Sequence, residues 1–106
     1  MNYLGLKDET LLQIGEVISS HLAVVNAVIF GSRAKGNYKK YSDIDICLYG
    51  SVDPEETERI KIELSDLDII YKCDVVAYEN ISNPELKEHI TRCGVEFYIA
   101  GTKMQT

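Results

Sequence analysis

The sequence has 106 residues, of which 45% are hydrophobic and 26% charged, a composition typical of one soluble globular domain and unlike that of fibrous or disordered chains. Seventeen acidic and eleven basic residues leave a formal net charge of −6, the wrong sign for binding long nucleic acid through its phosphates. A single nucleotide held through a divalent cation remains compatible with this charge, because such cations take carboxylate ligands. We expect one domain over residues 1–106, with a shallow binding cleft because so small a core leaves little room for a deep pocket.

The cysteines and the N-terminal segment indicate where the protein resides. Cys47, Cys73 and Cys93 are widely spaced and form no C-x-x-C pair, which is typical of reduced thiols. The N-terminal segment has no basic stretch followed by an apolar one, and no apolar run approaches the ~18 residues of a membrane span. We therefore predict a cytoplasmic protein that does not contact a membrane.

Hydrophobic periodicity and turn residues predict alternating helices and strands. In chain order the predicted elements are a helix from Asp8 or Thr10 to about Leu22, a strand over 24–30, one or two helical turns over 31–36, a strand over 43–49, a helix over 53–64, a strand over 71–78, a helix over 83–93 and a strand or extended edge over 95–99. This order is typical of an α/β protein in which helices cover a small sheet.

Two aspartates follow the polar loop at residues 37–42. Asp43 and Asp45 are two residues apart in an alternating segment, so their side chains point to one face of the strand and their Cα atoms lie about 6–7 Å apart. Asp74 lies in the third predicted strand. Two carboxylates at this spacing suit one or two magnesium ions, and a third from a neighbouring strand would complete a two-metal site.

The dipeptide Gly31-Ser32 stands where the first strand turns into a short helix. Such a turn presents backbone N–H groups and a hydroxyl to an anion such as a triphosphate, although glycine and serine are also ordinary turn residues. The sequence contains no P-loop pattern, and the EF-hand pattern fails at its glycine and glutamate positions. The specific signal is the combination: ten residues separate Ser32 from Asp43, and Asp45 follows.

The segment Gly31–Gly36 (GSRAKG), with S-D-I-D at residues 42–45, resembles the signature of the minimal nucleotidyltransferases of the DNA polymerase beta superfamily. Residues 71–76 resemble the third-aspartate strand of that family, and residues 88–98 resemble its usual ending. The resemblance covers almost the whole chain, and it implies an α/β nucleotidyltransferase (polymerase beta-like) fold, a small mixed sheet covered by helices. Lys35 stands where the family often has arginine, which keeps the positive charge.

The resemblance also implies roles for individual residues. Gly31 and Ser32 would hold the phosphates of a nucleoside triphosphate such as ATP. Asp43 and Asp45 would bind two Mg²⁺ ions, and Asp74 would bind one of them and help activate an acceptor hydroxyl. That hydroxyl would attack the α-phosphate and release pyrophosphate.

Other residues have competing interpretations. Arg33 would either steady a phosphate, as a third nucleotide-binding residue, or pack across the short helix. The S-D-L-D segment at residues 65–68 repeats the aspartate pattern, but no Gly-Ser precedes it at the right distance, so we interpret it as a loop. His21, at a helix end, and His89, beside the apolar stripe of the last helix, have no Cys or His partner at metal-ligand spacing. We interpret both histidines as structural or surface residues.

Within the family, the chain resembles the antitoxin subunits of two-gene modules. That similarity implies transfer of AMP from ATP to a hydroxyl, expected to be that of a tyrosine, on a partner HEPN-domain RNase toxin encoded nearby, in a hetero-oligomer. Larger relatives append a helical domain that recognises the acceptor. The 106 residues leave no room for such a domain beside the catalytic one, so we expect an acceptor supplied by another chain. Two alternatives remain open: transfer to a small molecule such as an aminoglycoside, and docking to the partner without catalysis. The carboxylate triad argues against docking alone, because clustered carboxylates without metal repel one another.

Overall fold

The computed structural model describes residues 4–101. Its elements are α1 (Asp8–Ser19), β1 (Val24–Phe30), α2 (Ser32–Lys35), β2 (Ile44–Gly50), α3 (Pro54–Ser65), β3 (Cys73–Ala77), a 3₁₀ turn (Tyr78–Asn80), α4 (Pro84–Cys93) and β4 (Val95–Ile99). The predicted order of helices and strands is confirmed, and the segment over residues 95–99 is a strand.

The four strands form one mixed sheet in the order β3-β2-β1-β4. β1 pairs antiparallel with β2 and with β4, whereas β2 and β3 run parallel. Parallel neighbours need a crossover connection, and α3 provides it. The predicted fold class, a small mixed sheet covered by helices, is confirmed.

The two faces of the sheet are covered unequally. On one face, α1 and α3 enclose the main core, which includes Ile14, Ile18, Ile29, Ile46, Leu48, Ile60 and Leu64. On the other face, α4 covers a smaller cluster made by Val28, Cys47 and Ile90. The predicted alternation of β2 explains this division, because Ile46 and Cys47 point to opposite faces.

Side-chain caps define the starts of α3 and α4. The Asp53 carboxylate accepts a hydrogen bond of 2.8 Å from the Glu56 N–H, and the Asn83 amide oxygen accepts one of 2.9 Å from the Glu85 N–H. In each helix proline occupies the first helical position, where its missing N–H costs nothing. Both helices therefore begin where the sequence predicts.

The first helix is shorter than predicted. It ends at Ser19, and Leu22, predicted to lie on its apolar stripe, is 95% exposed. The Ser20 hydroxyl donates to the carbonyl oxygen of Val17, and such side-chain bonds compete with helix continuation. The chain then turns so that His21 becomes buried.

The third strand is also shorter than predicted. It spans Cys73–Ala77. Before it, Tyr71 lies outside the strand and its ring packs against the Arg33 guanidinium; after it, Tyr78 begins the 3₁₀ turn. Residues 66–70 have no helix or strand. The loop interpretation of the second S-D-x-D segment is confirmed, with Ser65 as the last residue of α3.

Within residues 4–101, no helix has both the length and the apolar character needed to cross a membrane. Cys47 and Cys73 are buried, Cys93 is half-buried, and all three are free thiols. Burial raises the pKa of Cys47 to about 12 and that of Cys73 to about 11. The two buried thiols are therefore protonated and unreactive at neutral pH.

Candidate active site

A row of side chains crosses three strands at one end of the sheet. Phe30 is the register partner of Asp45, and Asp45 is the register partner of Asp74. Register partners on adjacent strands share a face, so both carboxylates project on the face that α4 covers. The next row inward on this face is apolar and consists of Val28, Cys47 and Val76. The two aspartates therefore lie at the margin of the apolar cluster.

Asp43 adds a third negative charge to this row. It lies just before β2 and is exposed, whereas Asp45 is half-buried. Burial raises the pKa of Asp45, the charges of Asp74 and Asp43 raise it further, and His89 lowers it. Asp43 and Asp74 are thus both close enough to Asp45 to repel its charge, a state that protonation or a bound cation would relieve.

The donor chemistry of the three aspartates fits magnesium, which takes oxygen ligands. Their side chains are not yet arranged around one point: within residues 4–101, no group of three His, Cys, Asp or Glu side chains is placed to hold a metal ion. Asp74 instead meets Lys61 of α3, whose Nζ lies 3.5 Å from the Asp74 Oδ1. Magnesium ligation by these residues remains a prediction.

Gly31 adjoins the carboxylate row. It is the N-cap of α2 and has φ 78°, a conformation that glycine adopts without steric cost. A Cβ added at Gly31 would collide with Oδ2 of Asp45. The backbone conformation therefore favours glycine here, and a Cβ would in addition displace a candidate catalytic carboxylate.

The next two residues have different surroundings. Ser32, the first residue of α2, is half-buried. Arg33 is 1% exposed, and its guanidinium donates to the carbonyl oxygens of Leu4 (2.9 Å) and Ser42 (3.0 Å). It also lies 4.9 Å and 4.7 Å from the ring centroids of two tyrosines, Tyr38 and Tyr71.

The contacts of Arg33 correct its proposed nucleotide-binding role. Its donors are used by backbone carbonyls, and two tyrosine rings lie against the guanidinium. This geometry favours the packing interpretation over phosphate binding. We therefore retain Gly31 and Ser32, but not Arg33, as candidate nucleotide-binding residues.

His89 is a neighbour of the site that the sequence pattern did not indicate. The Gly31 N–H donates to Nε2 of His89 over 3.2 Å, and the His89 ring meets the Phe30 ring edge-on, with centroids 6.2 Å apart. Nε2 is the acceptor in this contact, which joins α4 to the Gly31 backbone. The only sequence signal for this contact is that His89 immediately precedes the buried Ile90 of α4.

His21 lies in a different region, which we call the α1–α3 seam and define by His21, Glu56 and Glu63. The His21 Nδ1 lies 3.0 Å from a Glu56 oxygen and the Nε2 lies 2.8 Å from a Glu63 oxygen. Burial lowers the pKa of His21, but hydrogen bonds with Glu63 and Glu56 outweigh that effect and raise it above 6.5. The structural interpretation of His21 is confirmed.

One protein-family model matches a part of the chain that includes both the sheet and the candidate active site. Residues 12–102 match the model of the family described as "Polymerase beta, Nucleotidyltransferase", a range that contains the Gly-Ser turn and all three aspartates. The chain belongs to this nucleotidyltransferase family. The resemblance inferred from the GSRAKG and S-D-I-D motifs is confirmed.

Individual relatives narrow the comparison. The Haemophilus influenzae protein named "Probable protein adenylyltransferase MntA" is 28% identical over 81 residues, which are 74% of this chain and 71% of the relative. A crystal structure described as a toxin-antitoxin with AMP-PNP superposes with a TM-score of 0.68 at 18% identity, covering 94% of this chain and 79% of that one.

Two further structures have the same fold. One, described as a tri-AMPylated Shewanella oneidensis HEPN toxin in complex with an MNT antitoxin, gives a TM-score of 0.67 at 16% identity and covers 94% of this chain and 78% of that one. The other, described as a minimal nucleotidyltransferase, gives 0.64 at 25% identity and covers 85% of this chain and 95% of that one.

Proposed function

We propose that this protein is an antitoxin that transfers AMP from ATP to a tyrosine hydroxyl of a partner HEPN-domain RNase toxin and thereby neutralises it. The observation that carries the proposal is the placement of the carboxylates: Asp45 and Asp74 are register partners on adjacent strands, Asp43 is two residues away, and Gly31 touches Asp45. Family membership adds the reaction class.

The proposed roles follow from position and chemistry. Gly31 and Ser32 would contact the nucleotide phosphates. Asp43 and Asp45 would hold two Mg²⁺ ions, and Asp74 would share one of them. Bound magnesium would supply charge neutralisation at the phosphates and an acceptor hydroxyl of lowered pKa. The raised pKa of Asp45 supports this assignment, because its neighbours Asp74 and Asp43 create a surplus of negative charge that a cation would balance.

The reaction would be an in-line displacement at phosphorus. The acceptor hydroxyl oxygen forms a bond to the α-phosphorus of ATP, and the bond from that phosphorus to the bridging oxygen breaks. Asp74 helps to take up the hydroxyl proton, and pyrophosphate leaves. Asp74 suits this role because its side chain is 53% exposed and can therefore meet an acceptor that arrives from outside.

The nature of the acceptor is inferred from relatives. Similar proteins are described as a protein adenylyltransferase and as an MNT antitoxin in complex with a tri-AMPylated HEPN toxin. These descriptions favour a protein acceptor over a small molecule. The tyrosine, the encoding of the partner nearby and the two-metal mechanism are parts of our proposal.

Intact-mass spectrometry tests the proposal. The protein is mixed with ATP, Mg²⁺ and the purified HEPN-domain product of the neighbouring gene, and the partner's mass is compared with and without nucleotide. Asp43→Asn is the matched control, since it removes one charge and keeps the side-chain shape. We expect the partner to gain one or more AMP groups with wild type and none with the variant.

Two other outcomes would contradict the proposal in different ways. A partner that stays unmodified yet loses its RNase activity would indicate docking without catalysis. AMP incorporation that persists with Asp43→Asn would show that another group performs the chemistry. Peptide mapping of the modified partner then identifies whether the acceptor is tyrosine.

A further inference from the structure

His89 contacts the backbone of the candidate nucleotide turn from a distant part of the sequence. Its Nε2 accepts the Gly31 N–H over 3.2 Å, and 58 positions separate the two residues. His89 belongs to α4, whose other apolar residues pack on the inner part of the same sheet face. The contact therefore joins α4 to the edge of the carboxylate row.

The backbone conformation of Gly31 depends on contacts with other parts of the chain. Glycine has more backbone freedom than any other residue, and Gly31 adopts φ 78° and ψ −151°. Its carbonyl oxygen accepts the Lys35 N–H over 3.1 Å, its Cα lies against Asp45, and its N–H is taken by His89. The last two contacts come from other elements, and the hydrogen bond to His89 fixes the Phe30–Gly31 peptide, through which the chain enters the turn.

We propose that His89 is a positioning residue of the nucleotide site. By accepting the Gly31 N–H, it holds the Phe30–Gly31 peptide and so fixes how the chain enters the Gly31-Ser32 turn beside Asp45. This inference rests on the proposed function and assigns His89 no contact with the reacting atoms. The role requires a hydrogen-bond acceptor at the position of Nε2 and does not require an imidazole.

The proposal differs from simple packing in what it demands of the side chain. The Phe30 contact is edge-on at 6.2 Å between centroids, and any side chain of similar size could replace that contact. The hydrogen bond is more restrictive, because only a side chain with an acceptor at the position of Nε2 restrains rotation of the Phe30–Gly31 peptide. Loss of one such bond costs about 0.5–1.5 kcal/mol, which corresponds to about a 2- to 12-fold change in affinity.

Three substitutions separate these possibilities. His89→Gln carries its amide oxygen the same number of bonds from Cα as Nε2, so it keeps the acceptor. His89→Asn places its oxygen where the histidine has Nδ1, and His89→Leu has no acceptor. Glu88→Gln, at the exposed neighbouring position of α4, controls for changes on the helix surface.

The test measures the Kd for AMP-PNP with Mg²⁺ by titration calorimetry, together with kcat and KM for AMP transfer, at a temperature where urea unfolding shows each variant to be folded. We expect His89→Gln and Glu88→Gln to bind within about 2-fold of wild type. His89→Asn and His89→Leu should bind about 2- to 12-fold more weakly. Rescue by glutamine is the result that a merely structural role would not produce.

The contrary outcomes are distinguishable. If wild type binds AMP-PNP and all His89 variants bind equally well, or if His89→Gln is as weak as His89→Leu, the positioning role is wrong while the proposed function stands. If wild type binds no nucleotide in the presence of Mg²⁺, the proposed function fails and the role of His89 fails with it.

Discussion

The candidate active site and the α1–α3 seam differ in how their carboxylates are paired. In the seam, the two carboxylates of Glu56 and Glu63 face the two nitrogens of one histidine, His21, at 3.0 and 2.8 Å. At the strand end, Asp45 is half-buried and its pKa is raised by burial and by two neighbouring carboxylates. In the seam each carboxylate has a hydrogen-bond partner on His21, whereas at the site neighbouring carboxylates raise the pKa of Asp45 and leave negative charge for a ligand to neutralise.

This difference teaches how to separate stability from function in so small a protein. Substitutions in the seam should change the free energy of unfolding and leave nucleotide transfer intact. Substitutions in the carboxylate row should abolish transfer and leave the free energy of unfolding unchanged or higher, because they relieve repulsion. The following predictions test that contrast, from the largest expected effect to the smallest.

Asp45→Asn should reduce AMP transfer by at least about 100-fold, or about 2.7 kcal/mol in activation free energy. The amide keeps the shape of the side chain but removes a proposed magnesium ligand. Urea unfolding without Mg²⁺ should give a free energy equal to or above that of wild type. If Asp45→Asn had a lower free energy of unfolding than wild type and still transferred AMP, both expectations for the carboxylate row would be wrong.

Gly31→Ala should destabilise the protein by about 2–3 kcal/mol, because it adds the cost of a positive φ to a collision with Asp45. Gly36→Ala provides the comparison: Gly36 has φ 85° and ψ 4°, in the left-handed region, and a Cβ there would meet no atom within 4 Å. The control should cost only about 1–2 kcal/mol. Equal losses in urea denaturation would mean that neither the extended ψ of Gly31 nor its contact with Asp45 adds to the cost of a positive φ.

His21→Leu should lower the free energy of unfolding by about 1–2 kcal/mol at pH 6, because Glu56 and Glu63 lose their shared partner. Transfer activity, measured below the unfolding transition, should stay within about 2-fold of wild type. Leu22→Ala, at a neighbouring position that is 95% exposed, should change neither quantity. A large fall in transfer by the folded His21→Leu variant would link the seam to the site.

The seam should also make stability depend on pH. The folded-state pKa of His21 is raised above 6.5, so its contribution is fully present below about pH 6.5 and is lost as the pH rises through the raised value. Urea denaturation of wild type from pH 6 to pH 9 should therefore show a decline that His21→Leu lacks. Parallel profiles for the two proteins would contradict the charged-histidine assignment.

Asp68→Asn should have the smallest effect. Asp68 belongs to the loop between α3 and β3 and lines a cleft with Lys7 and Gln13. We expect the free energy of unfolding of the Asp68→Asn variant to stay within about 0.5 kcal/mol of wild type and its rate of AMP transfer to be unchanged. If Asp68→Asn abolished transfer and Asp74→Asn did not, the third carboxylate would be Asp68.

Local sequence pattern was sufficient for much of the fold. The alternation from Asp43 to Tyr49 predicts which β2 side chains share a face, and Asp53-Pro54 and Asn83-Pro84 predict where α3 and α4 begin. The helix end near Ser19 was missed, because periodicity continues to Leu22 while the serine hydroxyls favour a stop. Short-range preferences of comparable size compete at such boundaries.

The candidate site was predictable in its residues and only partly in its contacts. The aspartates stand out because their spacing follows from the geometry of one strand, whereas the register of Asp45 with Asp74 depends on how two strands align. The packing role of Arg33 depends on its contact with Ser42, which is 9 positions away. The contact of His89 with Gly31 spans 58 positions. No local pattern encodes such contacts, and the two histidines consequently look alike in the sequence.

The most direct test follows transfer of labelled AMP from ATP to the HEPN-domain partner by three proteins in parallel: wild type, Asp45→Asn and His21→Leu. Each protein is assayed at a temperature where it is fully folded. We predict that wild type and His21→Leu label the partner at rates within about 2-fold of each other, and that Asp45→Asn gives no label. Labelling of the partner by Asp45→Asn at the wild-type rate would contradict the assignment of the carboxylate row as the site of nucleotide transfer.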